Sequence, residues 1–284
     1  MLRKGDLTQG GITGTLLHFP LPMMVGSFLQ QCYNIADTLI VGQCIGAGAL
    51  AAVGSAYTLM VFLISVLLGL AMGSGTVFSL HYGAGNHVAL CRSIFSSFVL
   101  IGIVTLILNV AVFIWLDPIL RLLQVPQDIY GMMRSYLWII FCGIVFTFIY
   151  NFYASLLRAV GDSVTPLWFL AVSVVLNIAL DLFFILQLDW GIQGAAAATV
   201  LAQGVAALGI IIYTYRRRPE LRWHHEDMCF DRTCLKEIAS FSTLTCVQQS
   251  VMNLGILMVQ GLVNSFGTAV MAAFAAAVKI DSFA

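Results

Sequence analysis

Charged residues are scarce in this chain. Only 13 lysines and arginines and 13 aspartates and glutamates occur among 284 residues, so charged side chains make up 9% of the sequence. A soluble globular domain usually carries about 25% charged residues. The formal net charge is zero, and a chain without a basic surface is not expected to bind nucleic acid. Scarce charge and a 60% share of hydrophobic residues together predict a membrane protein.

Paired cysteines and a signal peptide are also missing. The seven cysteines are scattered, with no spacing typical of a disulfide framework or a zinc site, so free thiols are expected. The first residues, MLRKGDLTQGGITG, lack the apolar core and small-residue cleavage site of a signal peptide. The first helix is therefore expected to remain in the mature chain.

Long hydrophobic runs, in contrast, are abundant. Each of the first seven is long enough to cross a bilayer as a helix, which takes about 20 residues, and an eighth begins near residue 268. None alternates with the period of two that is typical of membrane β-strands. The predicted fold class is an all-α polytopic membrane protein, with spans at about 16–43, 51–80, 93–116, 135–157, 166–188, 192–215 and 238–263.

Lysine and arginine are distributed unevenly between the two ends of these spans. Only Arg121 and Arg134 fall on one side. The other side carries Arg3, Lys4, Arg92, Arg158, Arg216, Arg217, Arg218, Arg222, Arg232 and Lys236. The positive-inside rule then predicts a multi-pass protein of the cell (inner, cytoplasmic) membrane with a cytoplasmic amino terminus and odd-numbered spans that run outward.

The chain also contains an internal repeat. The segment QQCYNIADTLIVGQCIGAGALAAVG, from Gln30, resembles QQSVMNLGILMVQGLVNSFGTAVMAAFA, from Gln248. Six spans separate the copies, so both point the same way, as in transporters built from parallel repeats; chance similarity between two apolar helices is the alternative. We predict an amino-terminal six-helix transmembrane lobe (1–215), a cytoplasmic linker (216–237) and the start of a second, repeat-related lobe (238–284).

Polar side chains inside the spans are predicted to meet at one depth. Asn177 and Asp181 stand four residues apart and share one helix face. Asp181 and Asp37 each lie about 10 Å before the predicted outer end of their spans. Thr199 reaches the same level from the start of the next, inward span. We therefore expect these four residues to lie close together in the outer half of the membrane.

Two carboxylates that meet in a medium of low dielectric constant cannot both stay ionised without a cation. One of them should hold a proton, or both should bind a metal ion such as Na⁺. Asp37 and Asp181 would then be the metal ligands of an exchangeable cation site. The alternative is that both carboxyls are permanently protonated and hold helices together through hydrogen bonds.

Five segments resemble, in chain order, landmarks of the multidrug and toxic compound extrusion (MATE) family. They are YNIADTLIVG, DPILRLLQVPQDI, LRAVGDSVTPLWF, LNIALDLFFI and WGIQGAAAATVLAQ. The resemblance implies a twelve-helix, two-lobed antiporter that exports organic cations or drugs in exchange for Na⁺ or H⁺. Because the chain ends within an apolar segment, it is expected to hold one lobe and the first one to two helices of the second.

The resemblance also implies roles for individual residues. Cation or proton binding falls to Asp37, Asn177, Asp181 and Thr199, and Pro22 matches a conformational hinge in the first helix. The expected partners are small-molecule organic cations or drugs and membrane lipids, with the full-length protein working as a monomer. No enzymatic activity and no cofactor besides the coupling ion are expected.

Two other functions remain open from the sequence. A lipid-linked oligosaccharide flippase of similar two-lobe fold would line its pathway with several basic residues, and the spans of the first lobe hold none. An intramembrane aspartyl protease also needs two aspartates on neighbouring helices. It would carry them in Tyr-Asp and Gly-x-Gly-Asp motifs, where this chain has Ala36-Asp37 and Leu180-Asp181.

Overall fold

The computed structural model of the protein describes residues 20–222 and 232–281, with the backbone alone at 232, 233 and 279–281. Within these ranges the chain forms nine α-helices and no strand. The helices are α1 (Pro20–Cys44), α2 (Ala47–Gly83), α3 (His87–Leu122), α4 (Gln127–Cys142), α5 (Ile144–Ala159), α6 (Val164–Leu182), α7 (Gly191–Arg217), α8 (Arg232–Asn264) and α9 (Thr268–Asp281).

The helices confirm an all-α polytopic membrane fold. Among the described residues, α2, α3, α6 with its π-helical end (Phe183–Gln187), α7 and α8 are each long and apolar enough to cross a membrane. The bent pair α4–α5 makes a sixth span if it is counted as one. Helix α1 has 25 residues but does not reach the same hydropathy, and α9 is shorter. The large apolar side chains of α3 that are more than half exposed, and so suit contact with lipid, include Ile103, Leu106, Ile107, Ile114 and Trp115.

The residues of the fourth predicted span, 135–157, belong to two helices. Helices α4 and α5 meet at Gly143 with a bend of 48°. A Cβ atom on Gly143 would lie 2.5 Å from Cγ2 of Val200 on α7. The missing side chain therefore lets α7 approach the bend closely, and the sequence gives no sign of this contact because both flanks of Gly143 are apolar.

Asp162 organises the turn between α5 and α6. Its Oδ1 accepts a hydrogen bond from the backbone N–H of Thr165 at 3.0 Å, and its Oδ2 accepts one from the Thr165 hydroxyl at 2.8 Å. The Arg218 guanidinium, just after the end of α7, lies 3.4 Å from the same Oδ2. Both carboxylate oxygens of this buried residue are thus satisfied, and the pair joins the ends of α6 and α7.

Helix α8 begins earlier than the hydrophobic run predicts. It starts at Arg232, inside the stretch 216–237 that was predicted as linker, and α7 extends to Arg217. Residues 223–231 of that stretch lie outside the described residues. Ile238 is buried, and Glu237 Oε2 lies 3.3 Å from His81 Nε2 at the end of α2. The polar first turns of α8 are helical because they pack against α2.

Helix α8 packs along α2 at unusually short distances at one end of the pair. A Cβ atom on Gly69 would lie 2.4 Å from Cα of Cys246, and one on Gly73 would lie 2.3 Å from Cα of Ser242. Small residues four apart let two helix backbones approach each other in a membrane. The α2–α8 contact therefore depends on these two glycines.

The other end of the α2–α8 contact is polar. Gln260 Nε2 on α8 donates to the Ser55 hydroxyl on α2 at 2.7 Å. Asn264 Nδ2 donates to the backbone oxygen of Leu123, after α3, at 2.8 Å. All three side chains are buried, and hydrogen bonds between membrane helices stabilise their association by about 1 kcal/mol each.

A methyl group at position 73 tests the close contact. Gly73→Ala should lower the melting temperature in detergent, because overpacking a tight interface typically costs about 1–3 kcal/mol. The control is Gly83→Ala on the same helix, since a Cβ there meets nothing within 4 Å. Equal melting temperatures for the Gly73 variant and its control would show that the backbones are not in contact.

Candidate functional site

A cavity of about 420 Å³ lies between α1, α2, α6 and α7, with side chains from α4, α5 and α9 completing its wall. Aliphatic residues form much of the surface, and one wall is polar. No lysine or arginine lines it among the described residues. The polar lining residues are Gln30, Tyr33, Asn34, Asp37, Thr38, Tyr57, Tyr136, Thr147, Tyr150, Asn151, Ser173, Asn177, Thr199 and Gln203.

Asn177 links α6 to α7 and holds Asp181. The Asn177 amide is oriented so that its nitrogen and its oxygen are both hydrogen-bonded. Asn177 Nδ2 donates to Asp181 Oδ2 at 2.9 Å, and Asn177 Oδ1 accepts from the Thr199 backbone N–H at 3.1 Å. The Thr199 hydroxyl donates to the backbone oxygen of Ala195 at 3.1 Å. Tyr33 on α1 brings its hydroxyl to 3.5 Å from the Thr199 hydroxyl. Three helices therefore meet at this cluster.

The two aspartates of the cluster lie close together. Asp181 and Asp37 are near enough for a side-chain hydrogen bond, which two carboxyl groups can form only when a proton lies between them. Asp37 lines the cavity, whereas Asp181 is fully buried. Asp181 Oδ1 is buried and receives no hydrogen bond from a donor group in the described part of the chain. The pair therefore has an oxygen atom available for a proton or a metal ion.

The available ligands are all oxygen atoms. Carboxylate, amide and hydroxyl oxygens suit a hard cation such as Na⁺ and equally suit a shared proton. Residues 20–222 and 232–281 contain no group of three or more His, Cys, Asp or Glu side chains that could hold a metal ion. A proton and Na⁺ are thus the two cations whose chemistry fits the oxygen atoms of the cluster.

The structure brings together the four residues that the sequence places at one depth, Asp37, Asn177, Asp181 and Thr199. Pro22 lies elsewhere, in the first described turn of α1, beside a second pocket. Residues 16–19, which precede it and would form the other arm of a bend, lie outside the described residues. The binding roles and the hinge role all stay predictions.

Several lining residues were missed by the sequence analysis. Tyr57 on α2 and Tyr136 on α4 face the cavity beside Asp37, and Gln203 accepts a hydrogen bond from the Thr147 hydroxyl across it. Gln203 stands four residues after Thr199, on the same helix face, so that spacing gives a usable signal. Tyr136 has no comparable signal, because the residues three and four positions away on its helix face are apolar.

The sequence is similar to that of known membrane proteins. A sequence profile of the MatE family matches residues 22–183. The chain belongs to the MATE family. It is 33% identical over 288 aligned residues to the probable multidrug resistance protein YpnP of Bacillus subtilis, an alignment that covers 99% of this chain and 63% of YpnP.

Two further MATE proteins are similar to the chain. The multidrug export protein MepA of Staphylococcus saprophyticus is 31% identical over 71% of this chain and 45% of its own length. The crystal structure of the Vibrio cholerae MATE transporter VcmN in the bent form superposes with a TM-score of 0.80 at 26% identity, over 95% of this chain and 61% of that one. The chain thus spans less than two thirds of the length of the MATE proteins it matches.

Proposed function

We propose that this chain forms the greater part of a secondary active antiporter that exports organic cations or drugs in exchange for Na⁺ or H⁺. The observation that carries the proposal is the close approach of Asp37 to Asp181 at the edge of a cavity lined by polar and aliphatic side chains. Intramembrane carboxyl groups are costly, and most of them serve transport or proton relay. The names of YpnP, MepA and VcmN, which refer to multidrug resistance, export and transport, support it.

The exchange mechanism follows from the charge of the pair. When neither a proton nor Na⁺ is bound, Asp37 and Asp181 carry two adjacent negative charges, which is unfavourable in a low-dielectric site. An organic cation that enters the cavity lies next to Asp37 and compensates part of that charge. The coupling ion removes the same attraction when it returns. Each cation therefore weakens the binding of the other, as antiport requires.

Each residue of the cluster has a distinct part in this proposal. Asp37 faces the cavity and interacts with both the organic cation and the coupling ion. Asp181 is fully buried and contacts the coupling ion alone. Asn177 donates to Asp181 and fixes its orientation. Thr199 holds the other end of the Asn177 amide through its backbone N–H and offers a hydroxyl oxygen to the ion.

The cavity lining favours organic cations over the flippase alternative. The described lining has one acidic residue, Asp37, and aromatic residues that include Tyr33, Tyr57 and Tyr136. Aromatic faces attract organic cations. A pathway for an oligosaccharide linked to an anionic carrier needs basic side chains. The described lining has none.

We also propose where the site lies in the protein and in the membrane. Residues 1–215 form the first lobe and contain all four cation-binding residues, 216–237 connect the lobes, and 238–284 begin the second. The basic ends of the helices face the cytoplasm, so the site lies in the outer half of the cell membrane. The working protein is a monomer.

Separately imposed ion gradients test the proposal. In proteoliposomes that contain the protein and a fluorescent organic cation, either an inward Na⁺ gradient or an inward proton gradient should drive export. The other gradient should have little effect, which identifies the coupling ion. An export rate that depends on neither gradient would contradict ion-coupled antiport.

Pro22 provides a test of the hinge. A proline has no backbone N–H, so a helix that continues from residue 18 through Pro22 lacks one hydrogen bond there and bends more easily. Pro22→Ala should therefore slow export at saturating substrate while leaving the apparent affinity for substrate nearly unchanged. Unchanged turnover with weaker binding would instead place Pro22 in contact with the substrate.

A further inference from the structure

A second pocket lies at the end of the bundle where α1 begins and α5 ends. Its walls come from the first turns of α1, the last turns of α5 and the first turns of α6. It shares Gln30, Tyr150, Asn151 and Leu170 with the larger cavity, so the two are neighbours. This pocket lies more than one helix turn from Asp37 and contains no acidic lining residue in the described chain.

Arg158, in the last turn of α5, is the charged residue of this pocket. Its side chain is half-buried. No acidic group among residues 20–222 and 232–281 forms an ion pair with it. The carboxylate nearest in sequence, Asp162, is instead occupied by Thr165 and Arg218.

Two other acidic residues described at this end of the bundle also have partners of their own. Glu220 lies 3.4 Å from Arg218 and Glu237 lies 3.3 Å from His81. A half-buried guanidinium without a counter-charge is unfavourable, because burial weakens its hydration. The described chain therefore supplies no anionic partner for Arg158, and an anion from outside the chain would stabilise the guanidinium.

Six of the twelve other lining residues are apolar, and all six belong to α1 and α6. Pro22, Met23 and Gly26 of α1 face Pro166, Leu167 and Leu170 of α6 across the crevice. A Cβ on Gly26 would lie 3.6 Å from Leu167 Cδ1, an ordinary van der Waals contact, so α1 and α6 approach each other at this point without overlap. A ligand that fits must carry a negative group for Arg158 and a hydrocarbon part for the crevice.

We propose that this pocket binds one anionic phospholipid, with its phosphate on Arg158 and an acyl chain along the crevice between α1 and α6. Basic pockets between membrane helices bind anionic lipid headgroups in this way. The exposed Trp168 on α6 is a side chain typical of the headgroup level. The bound lipid would also close the end of the larger cavity that Tyr150 and Asn151 line.

Native mass spectrometry of the full chain in detergent tests the site. The probes are phosphatidylglycerol, phosphatidylcholine with the same acyl chains, and inorganic phosphate. Wild type should retain one phosphatidylglycerol in preference to phosphatidylcholine. Arg158→Gln should weaken that retention by about tenfold, as expected for loss of a charge-assisted contact. The matched control is Arg217→Gln, an equal change of charge at an exposed position at the same end, which should retain the lipid.

Each other outcome decides against the site. Equal retention by the two variants, or equal retention of the two lipids by wild type, would overturn the proposal. Displacement of phosphatidylglycerol by equimolar inorganic phosphate would assign a small-anion site instead. If Arg158→Gln fails to fold, crosslinking of wild type with a photoactivatable phosphatidylglycerol locates the bound lipid instead. Its label should fall within residues 158–170 or the start of α1, and a label confined to other helices would overturn the assignment.

Discussion

Replacing either intramembrane aspartate with asparagine is expected to abolish ion-driven export. Asp37→Asn and Asp181→Asn each keep the shape of the side chain but remove one of the two negative charges. The remaining carboxylate has no second negative charge beside it, so its affinity for a proton or Na⁺ falls and it no longer exchanges the coupling ion effectively. We expect gradient-driven transport to fall to background in both variants.

Asp128→Asn is the matched control for these variants. It makes the same chemical change at an exposed position in the first turn of α4, far along the chain from the cluster, and should transport like wild type. Membrane insertion and melting temperature should remain near wild type in all three variants. If both cluster variants still export at the wild-type rate, the carboxyl pair does not couple transport to an ion.

A bulky side chain in the cavity is expected to block the substrate and spare the coupling ion. Ser173 lines the cavity one turn before Asn177 on α6, so Ser173→Phe places a ring in the space where the organic cation would bind. Export should fall by at least about tenfold, equivalent to roughly 1.4 kcal/mol. The response of the melting temperature to Na⁺ or pH should persist, because no ligand of the coupling ion is changed.

Val172→Phe is the control for the cavity variant. Val172 is adjacent in sequence but half exposed on the outside of the helix, where a larger apolar side chain meets lipid. It should export normally. Normal export by Ser173→Phe would show that substrate does not use this cavity, whereas loss in both variants would indicate damage to α6 itself.

The sequence predicts the membrane spans well because each is a long apolar run bounded by polar turns. It also predicts the cluster of Asp37, Asn177, Asp181 and Thr199, because helix geometry converts residue number into depth. The contact between the two carboxyls could not be derived in this way. It depends on how α1 and α6 rotate about their axes, which the packing of three helices decides.

Other features depend on contacts between residues that are distant in the chain. The bend at Gly143 follows from the approach of Val200, and the early start of α8 follows from the contact of Glu237 with His81. The polar contact of Gln260 with Ser55 joins the second repeat copy to the residue that directly follows the first copy. A pattern read along one segment holds no information on the partner, so these features are seen only once the helices are assembled.

The melting temperature of the full chain tests the central claim, that Asp37 and Asp181 share one exchangeable cation, most directly. It should be measured with Na⁺ or choline at constant ionic strength, over a range of pH. Rising pH removes the shared proton and should destabilise wild type in choline. Na⁺ should restore stability if it binds the pair, by about 2.7 kcal/mol at a hundredfold excess over Kd. Asp181→Asn should abolish both responses, and wild-type responses in that variant would contradict the account.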